Sequence, residues 1–112
     1  MKNIINELII LDRLKHPNII LVLGFGLDDN QNLYIISELY PEKNLKVFIE
    51  KNSIDIQKKI NLLFEVARAL AFLHSLDPPV LHRDIKPENI FISTNHSAVI
   101  GDFGIAKEFE KE

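Results

Sequence analysis

Three side chains near the end of the chain, Asp84, Asn89 and Asp102, have the types and spacing of a metal-assisted site. Between Asn89 and Asp102 lie two short apolar runs, Ile90–Ile92 and Ala98–Ile100, separated by a polar turn. Such a pattern predicts a hairpin, which would bring Asp102 close to Asn89. Carboxylate and amide oxygens are hard ligands suited to Mg²⁺. Asp84, which is not needed as a ligand, would remain available to receive or orient a substrate hydroxyl.

The residues around these three side chains resemble a known pair of motifs. The stretch reads His82-Arg83-Asp84-Ile85-Lys86-Pro87-Glu88-Asn89 and is followed by Asp102-Phe103-Gly104. Together they resemble the catalytic loop and the metal-binding turn of the protein kinases. Either motif alone would have a prior below about one in ten of being catalytic. Their occurrence together, in order and at matching spacing, makes the resemblance specific.

The resemblance implies a phosphotransferase that uses ATP and Mg²⁺ and acts on Ser or Thr hydroxyls of proteins. It makes Asp84, Lys86 and Asn89 the catalytic residues, with Asp84 as the base. Lys86 resembles the lysine of serine/threonine kinases and would place a positive charge near the transferred phosphate. Asn89 and Asp102 are the implied metal ligands, and Asp102 therefore also contributes to cofactor binding.

Composition limits the other classes of function. The 112 residues are enough for one small domain, with 46% hydrophobic and 26% charged residues. The net charge of −3 gives no electrostatic reason to expect a nucleic acid or an anionic membrane as partner. No cysteine is present, which excludes disulfides and thiolate metal sites. No apolar run is long enough to span a bilayer and no signal peptide is evident, so a cytoplasmic location is expected.

Hydrophobic spacing in the first third of the chain predicts a helix over 4–14, which Pro17 prevents from continuing. Two apolar runs at 20–27 and 33–38 then predict an antiparallel strand pair. These elements resemble the C helix and the fourth and fifth strands of a kinase small lobe. Glu7 then matches the helix glutamate that pairs with the ATP-gripping lysine. From the residues alone, a solvated helix charge is the favoured interpretation of Glu7, since Glu is mostly exposed.

The segment after the second strand resembles the adenine-binding hinge of the kinases. Ser37 matches the gatekeeper position, and Glu38 and Tyr40 match hinge residues whose backbone groups hydrogen-bond adenine. Phe91 stands where the family usually has a leucine or a similar aliphatic side chain under the adenine. Taken without the family, the same residues are consistent with a hairpin that leads into a loop at Pro41.

The remaining helices are predicted from periodicity and caps. Asn44 is a plausible N-cap for a helix over 45–50, and Asp55 for a longer helix over 56–76. The longer helix is apolar nearly all round, which is typical of a buried helix, and it resembles the central E helix of the large lobe. One predicted stripe contains Ile60, Leu63, Phe64, Ala67, Leu70, Ala71 and His74. The other faces are apolar through Leu62, Val66, Phe72 and Leu73. We expect His74 to be a core histidine with satisfied hydrogen bonds.

The predicted fold class is α+β, a partial protein-kinase domain over residues 1–112. Residues 1–38 would be the remainder of the small lobe, 39–42 the hinge, and 43–112 the start of the mostly helical large lobe. Four residues match the stacked side chains that join the lobes of active kinases, and Arg83 matches the arginine that grips a phosphorylated activation loop. The four are Leu11, Val22, His82 and Phe103.

The resemblance covers less than half of a kinase domain and leaves two functional hypotheses open. No glycine-rich loop or strand lysine precedes Glu7, and no Ala-Pro-Glu follows Phe109. We therefore expect this chain alone to be inactive. The alternative is a non-catalytic binding or regulatory module derived from a kinase. Four large apolar side chains left uncovered would forgo roughly 6–12 kcal/mol, so the long helix also offers a surface for self-association.

Overall fold

The computed structural model describes Ile9, residues 12–101 and residues 107–108. Within these residues it has an α+β fold of two helices, one 3₁₀ turn and three two-stranded antiparallel sheets, β1–β2, β3–β6 and β4–β5. Glu7, Leu11, Asp102 and Phe103 lie outside the described residues. In chain order the elements are β1 (Val22–Leu27), β2 (Leu33–Ser37), α1 (Leu45–Lys51), α2 (Ile56–Ser75), β3 (Val80–Leu81), the 3₁₀ turn (Pro87–Asn89), β4 (Ile90–Ile92), β5 (Ala98–Ile100) and β6 (Lys107–Glu108).

The first predicted helix can be followed only in part. Ile9 and Asp12 are helical, and Arg13 already lies in a turn. The predicted helical face included Leu14, which instead follows the turn, although its side chain is buried. A helix in this part of the chain is thus supported at the two described positions.

The hairpin of β1 and β2 forms as the sequence predicts. Leu27 pairs with Leu33, and Val22 pairs with Ser37 after an irregularity in the register. The connecting turn is organised by Asp28, whose Oδ1 accepts the backbone N–H of Asn30 at 2.8 Å and of Asn32 at 2.9 Å. The hydrogen bond from the Asn32 backbone lowers the pKa of the Asp28 carboxyl from its ordinary value, because it favours the ionised form.

Both predicted helix caps are confirmed. Asn44 Oδ1 accepts the Val47 N–H at 3.0 Å, and Asp55 Oδ1 accepts the Lys58 N–H at 2.8 Å. Each cap satisfies one of the N–H groups that the first helical turn leaves without an intrahelical partner. Among the described residues, no helix combines the length and the apolarity that crossing a membrane requires.

The buried face of α2 is not the predicted stripe. α2 packs against β3 and β5 through the side chains of Leu62, Val66, Ala69 and Leu73. The prediction of a core histidine at position 74 was wrong, because His74 lies outside this face and is exposed. Because the helix is apolar nearly all round, its sequence does not determine which face is buried. The buried face is the one that packs against β3 and β5.

The opposite face of α2 exposes large apolar side chains. Ile56 is 70% exposed, Ile60 51%, Leu63 68% and Phe64 62%. Their spacing of four, seven and eight residues from Ile56 places them on one stripe. The expectation of four uncovered apolar side chains on this helix is thus met within the described structure.

A buried asparagine joins the loop after the first helical segment to the β4–β5 hairpin. Asn18 is only 2% exposed. Its Nδ2 donates to Ala98 O at 2.9 Å, and its backbone carbonyl oxygen accepts the Ile100 N–H at 2.8 Å. Its Oδ1 accepts a hydrogen bond from Arg68 Nη2 on α2 at 3.2 Å. Asn18 therefore connects three parts of the chain that are distant in sequence.

We predict that Asn18→Ala lowers the free energy of unfolding by about 1–3 kcal/mol, because the buried Ala98 carbonyl loses its donor. Asn30→Ala, a change at an exposed residue of the β1–β2 turn, is the matched control and should stay within about 0.5 kcal/mol. Urea denaturation of the two variants measures the difference. Equal midpoints for Asn18→Ala and the control would contradict the bridging role.

Candidate active site

A buried histidine shapes the start of the candidate catalytic loop. His82, which is 2% exposed, follows β3. Its Nδ1 accepts the Asp84 backbone N–H at 3.1 Å, so Nε2 carries the hydrogen of the neutral ring. Nε2 lies 2.6 Å from Gly101 O and donates to it. One imidazole thus links the backbone beside Asp84 to the backbone that precedes Asp102.

Asp84 is held by Asn89. Asn89 Nδ2 donates to both Asp84 O and Asp84 Oδ2, each at 2.9 Å. Because both partners are acceptors, the nitrogen must face Asp84, and this fixes the orientation of the amide. Asn89 Oδ1 is thus left facing away from the Asp84 oxygens. An amide oxygen oriented in this way, together with the carboxylate of the predicted ligand Asp102, is a donor set that would suit a hard cation such as Mg²⁺.

The 3₁₀ turn brings a lysine to the same carboxylate. Lys86 Nζ lies 3.6 Å from Asp84 Oδ2, and the two side chains are 51% and 33% exposed. An ion pair this accessible to water contributes little to stability. The Lys86 ammonium can therefore leave Asp84 for another anion at small cost.

The loop also contains backbone strain that the sequence does not reveal. Arg83, between His82 and Asp84, has a φ of 74°. A non-glycine residue in this left-handed region costs on the order of 1–3 kcal/mol. The hydrogen bonds that His82 and Asn89 make to Asp84, the residue after Arg83, stabilise the loop in this conformation.

The β4–β5 hairpin places the end of β5 beside Asn89, as predicted. Ile90 pairs with Ile100, and Phe91 pairs with Val99. The Gly101 N–H donates to Asn89 O at 2.9 Å. Asp102 follows directly in the chain, and its proximity to Asn89 stays a prediction because Asp102 lies outside the described residues.

The predicted hinge lies against the beginning of β1. The Glu38 N–H donates to Leu21 O at 3.0 Å, and Ser37 Oγ donates to Glu38 O at 3.3 Å. The Tyr40 hydroxyl oxygen accepts the Leu21 N–H at 3.3 Å. Burial raises the pKa of the Tyr40 hydroxyl, because the ionised form would lose hydration.

The structure brings the hinge and the hairpin together through two rings. The centroids of Tyr40 and Phe91 are 5.8 Å apart, with 29° between the ring planes. Sequence reasoning assigned Tyr40 a role through its backbone alone and missed this side-chain contact. It also missed Gly101, because a hydrogen bond between distant backbone groups has no local sequence signal.

The comparison with protein families agrees with this geometry. The model of the protein kinase domain matches residues 1–112. The chain belongs to the protein kinase domain family. The predicted family is therefore confirmed, and the mixed fold with antiparallel strand pairs agrees with a partial kinase domain.

Individual relatives carry serine/threonine-kinase names. The chain is 40% identical over 86 residues to the serine/threonine-protein kinase flr-4 of Caenorhabditis elegans, which aligns 77% of this chain and 15% of that protein. It is 39% identical over 103 residues to a serine/threonine-protein kinase/receptor, R826, of Acanthamoeba polyphaga mimivirus, covering 90% of this chain and 6% of the viral protein. The chain spans less than a fifth of either relative.

We predict that His82→Phe lowers the free energy of unfolding by about 1–3 kcal/mol for each buried polar group left without a partner. The Gly101 carbonyl would lose its donor and the Asp84 N–H its acceptor. His74→Phe makes the same chemical change at an exposed position and should shift stability by no more than about 0.5 kcal/mol. Chemical denaturation compares the two, and equal effects would show that the His82 contacts do not stabilise the loop.

Proposed function

We propose that this kinase domain segment carries the phosphotransfer centre of a serine/threonine protein kinase, which moves the γ-phosphate of ATP to a protein hydroxyl. The observation that carries the proposal is the pair of hydrogen bonds from Asn89 Nδ2 to Asp84 O and Oδ2. They hold a partly exposed carboxylate next to an oriented amide oxygen. Phosphoryl transfer depends mainly on such positioning and on charge stabilisation.

Asp84 is the proposed catalytic base. Its Oδ2 is engaged by Asn89 and Lys86, and no hydrogen bond within the described residues engages Oδ1. Oδ1 would accept the proton of the Ser or Thr hydroxyl as the hydroxyl oxygen bonds to the γ-phosphorus. The bond from that phosphorus to the β-phosphate oxygen then breaks, and ADP leaves with the electron pair.

Lys86 is proposed to stabilise the charge on the transferred group. The Lys86 side chain is 51% exposed, and its Nζ lies 3.6 Å from Asp84 Oδ2. A short movement would bring it to a phosphate oxygen bound beside Asp84. A positive charge placed where negative charge spreads in the transition state lowers the barrier.

Asn89 Oδ1 and Asp102 are the proposed ligands of Mg²⁺. When bound, the ion would neutralise negative charge on the phosphates. Asn89 contributes an oxygen whose direction is set by the bonds of its own Nδ2 to Asp84. Support for Asp102 is its place in the chain next to Gly101, which is hydrogen-bonded to Asn89 O.

The base of ATP is proposed to lie against the Phe91 ring and beside the backbone of the hinge. Glu38 and Tyr40 would offer backbone groups to adenine, and Ser37 would line the back of the site. The hydrogen bonds of Glu38 and Tyr40 to Leu21 support a defined position for this segment. Glu7 is proposed to pair with a lysine that grips the phosphates.

We predict that Asp84→Asn in the full-length protein lowers phosphate transfer by about 10²–10⁴-fold, since general-base catalysis contributes that much. The assay follows transfer from labelled ATP to a protein substrate containing Ser and Thr. Asp29→Asn makes the same chemical change at an exposed position in the turn between β1 and β2, and it should leave the rate unchanged. ATP affinity measured on the same samples separates lost chemistry from lost folding. Full activity of Asp84→Asn would overturn the proposed mechanism.

A second candidate function, self-association, is favoured by the exposed stripe of α2. The four side chains of Ile56, Ile60, Leu63 and Phe64 have the spacing of a helix-packing face. A second copy would present the same stripe, so the pairing would be symmetric. An interface built on four side chains from each copy supports only a weak, concentration-dependent dimer.

We predict that Leu63→Glu shifts this 112-residue chain to the monomer, because a carboxylate on the stripe would be desolvated in a dimer. Sedimentation over a range of concentrations measures the association. Asn61→Glu adds the same charge at an exposed polar position of α2 and should leave the association unchanged. A wild-type chain that stays monomeric at every concentration would rule out self-association through this stripe.

A further inference from the structure

The ring of Phe91 lies in a slot that exists because position 101 is glycine. A Cβ built on Gly101 would lie 2.5 Å from Phe91 Cε2 and 2.7 Å from Phe91 Cδ2. Carbon atoms that are not bonded to each other normally approach to about 3.5–4.0 Å. Any side chain at position 101 would therefore occupy space that the Phe91 ring now fills.

The backbone at Gly101 cannot easily move away from the ring. Its N–H donates to Asn89 O at 2.9 Å, and its carbonyl accepts from His82 Nε2 at 2.6 Å. Both partners belong to the candidate catalytic loop, and Gly101 itself is buried. A clash at this position would have to be relieved by the Phe91 side chain.

The position of Phe91 is also restrained. Its backbone pairs with Val99 in the hairpin and bridges to Asn44 at the start of α1. Its ring stacks against the Tyr40 ring at a centroid distance of 5.8 Å. The Tyr40 hydroxyl in turn accepts a hydrogen bond from the N–H of Leu21, the residue before β1. The ring is thus held between the hinge on one side and Gly101 on the other.

We propose that Gly101 and Tyr40 are positioning residues that hold the Phe91 ring as a platform for the planar base of a purine nucleotide. The Phe91 side chain is only half-buried, so part of it remains available for contact with a ligand. Aromatic rings and bases attract each other by stacking, which an aliphatic side chain supports less well. This inference rests on the proposed function, because it requires that the chain bind ATP.

The platform makes Gly101 and Phe91 an interdependent pair. In Gly101→Ala the added methyl group would push the ring out of its slot and displace the platform. In Phe91→Leu the ring is absent, and the slot can accept a methyl group at position 101. The double variant Phe91→Leu/Gly101→Ala should therefore bind ATP better than Gly101→Ala alone.

The test compares ATP with inorganic tripolyphosphate, which carries phosphates but no base. The wild-type full-length protein and these three variants are titrated with each ligand in the presence of Mg²⁺. We expect Gly101→Ala to weaken ATP binding about tenfold and to leave tripolyphosphate binding within about twofold. Phe91→Leu should weaken ATP binding by about twofold to tenfold, as expected for a lost aromatic contact. The double variant should match Phe91→Leu.

Tyr40 provides an independent arm of the same experiment. Tyr40→Leu removes the stacked ring and should weaken ATP binding by about twofold to tenfold while sparing tripolyphosphate. Tyr40→Phe keeps the ring, loses only the hydroxyl and should bind ATP more tightly than Tyr40→Leu. Equal ATP affinities of these two variants would show that the ring is not needed.

The outcomes separate this inference from the proposed function. Wild-type protein that binds neither ATP nor tripolyphosphate would overturn the proposed function and the platform with it. Wild-type protein that binds ATP, with Gly101→Ala unchanged, would overturn the platform alone. Equal losses of both ligands in Gly101→Ala, or no recovery in the double variant, would assign Gly101 a structural role and would also overturn the platform.

Discussion

The antiparallel pairing of β4 with β5 is the constraint on which the rest of this structure depends. Its register places Asn89, just before β4, next to Gly101, just after β5. The same pairing gives α2 a surface to pack on and gives Asn18 the carbonyl and amide groups that it binds. A register shifted by one residue would turn the buried Ile92 and Ile100 side chains toward the opposite face.

Hydrogen bonding around the hairpin couples the core to the site. His82 and Asn89 each contact both Asp84 and Gly101, through side-chain or backbone atoms. Both residues are buried, so their hydrogen bonds are shielded from water. The carboxylate of Asp84, by contrast, remains partly exposed. A rigid, buried support beneath an accessible reactive group is what positioning catalysis requires.

The kinase domain family explains the order of the motifs, and the contacts specific to this chain explain how they are held. Phe91 has a bulky aromatic side chain, and Gly101 leaves the space for it. From the hinge, the Tyr40 ring stacks on Phe91, and the Tyr40 hydroxyl accepts a hydrogen bond from Leu21, the residue before β1. The residues proposed to contact the base and those proposed to act on the phosphate thus share one structural unit, the β4–β5 hairpin.

The sequence by itself determined the features that depend on near neighbours in the chain. The caps Asn44 and Asp55 and the hairpin after Asn89 follow from local hydrogen bonding and short-range periodicity. The tertiary structure alone decided which face of α2 is buried, that His74 is exposed, and that Asn18, Tyr40 and Gly101 make long-range contacts. An apolar helix can bury any of its faces, and a glycine or an asparagine carries no sign of its distant partner. Packing between elements far apart in sequence made these choices, because only the folded chain brings those groups together.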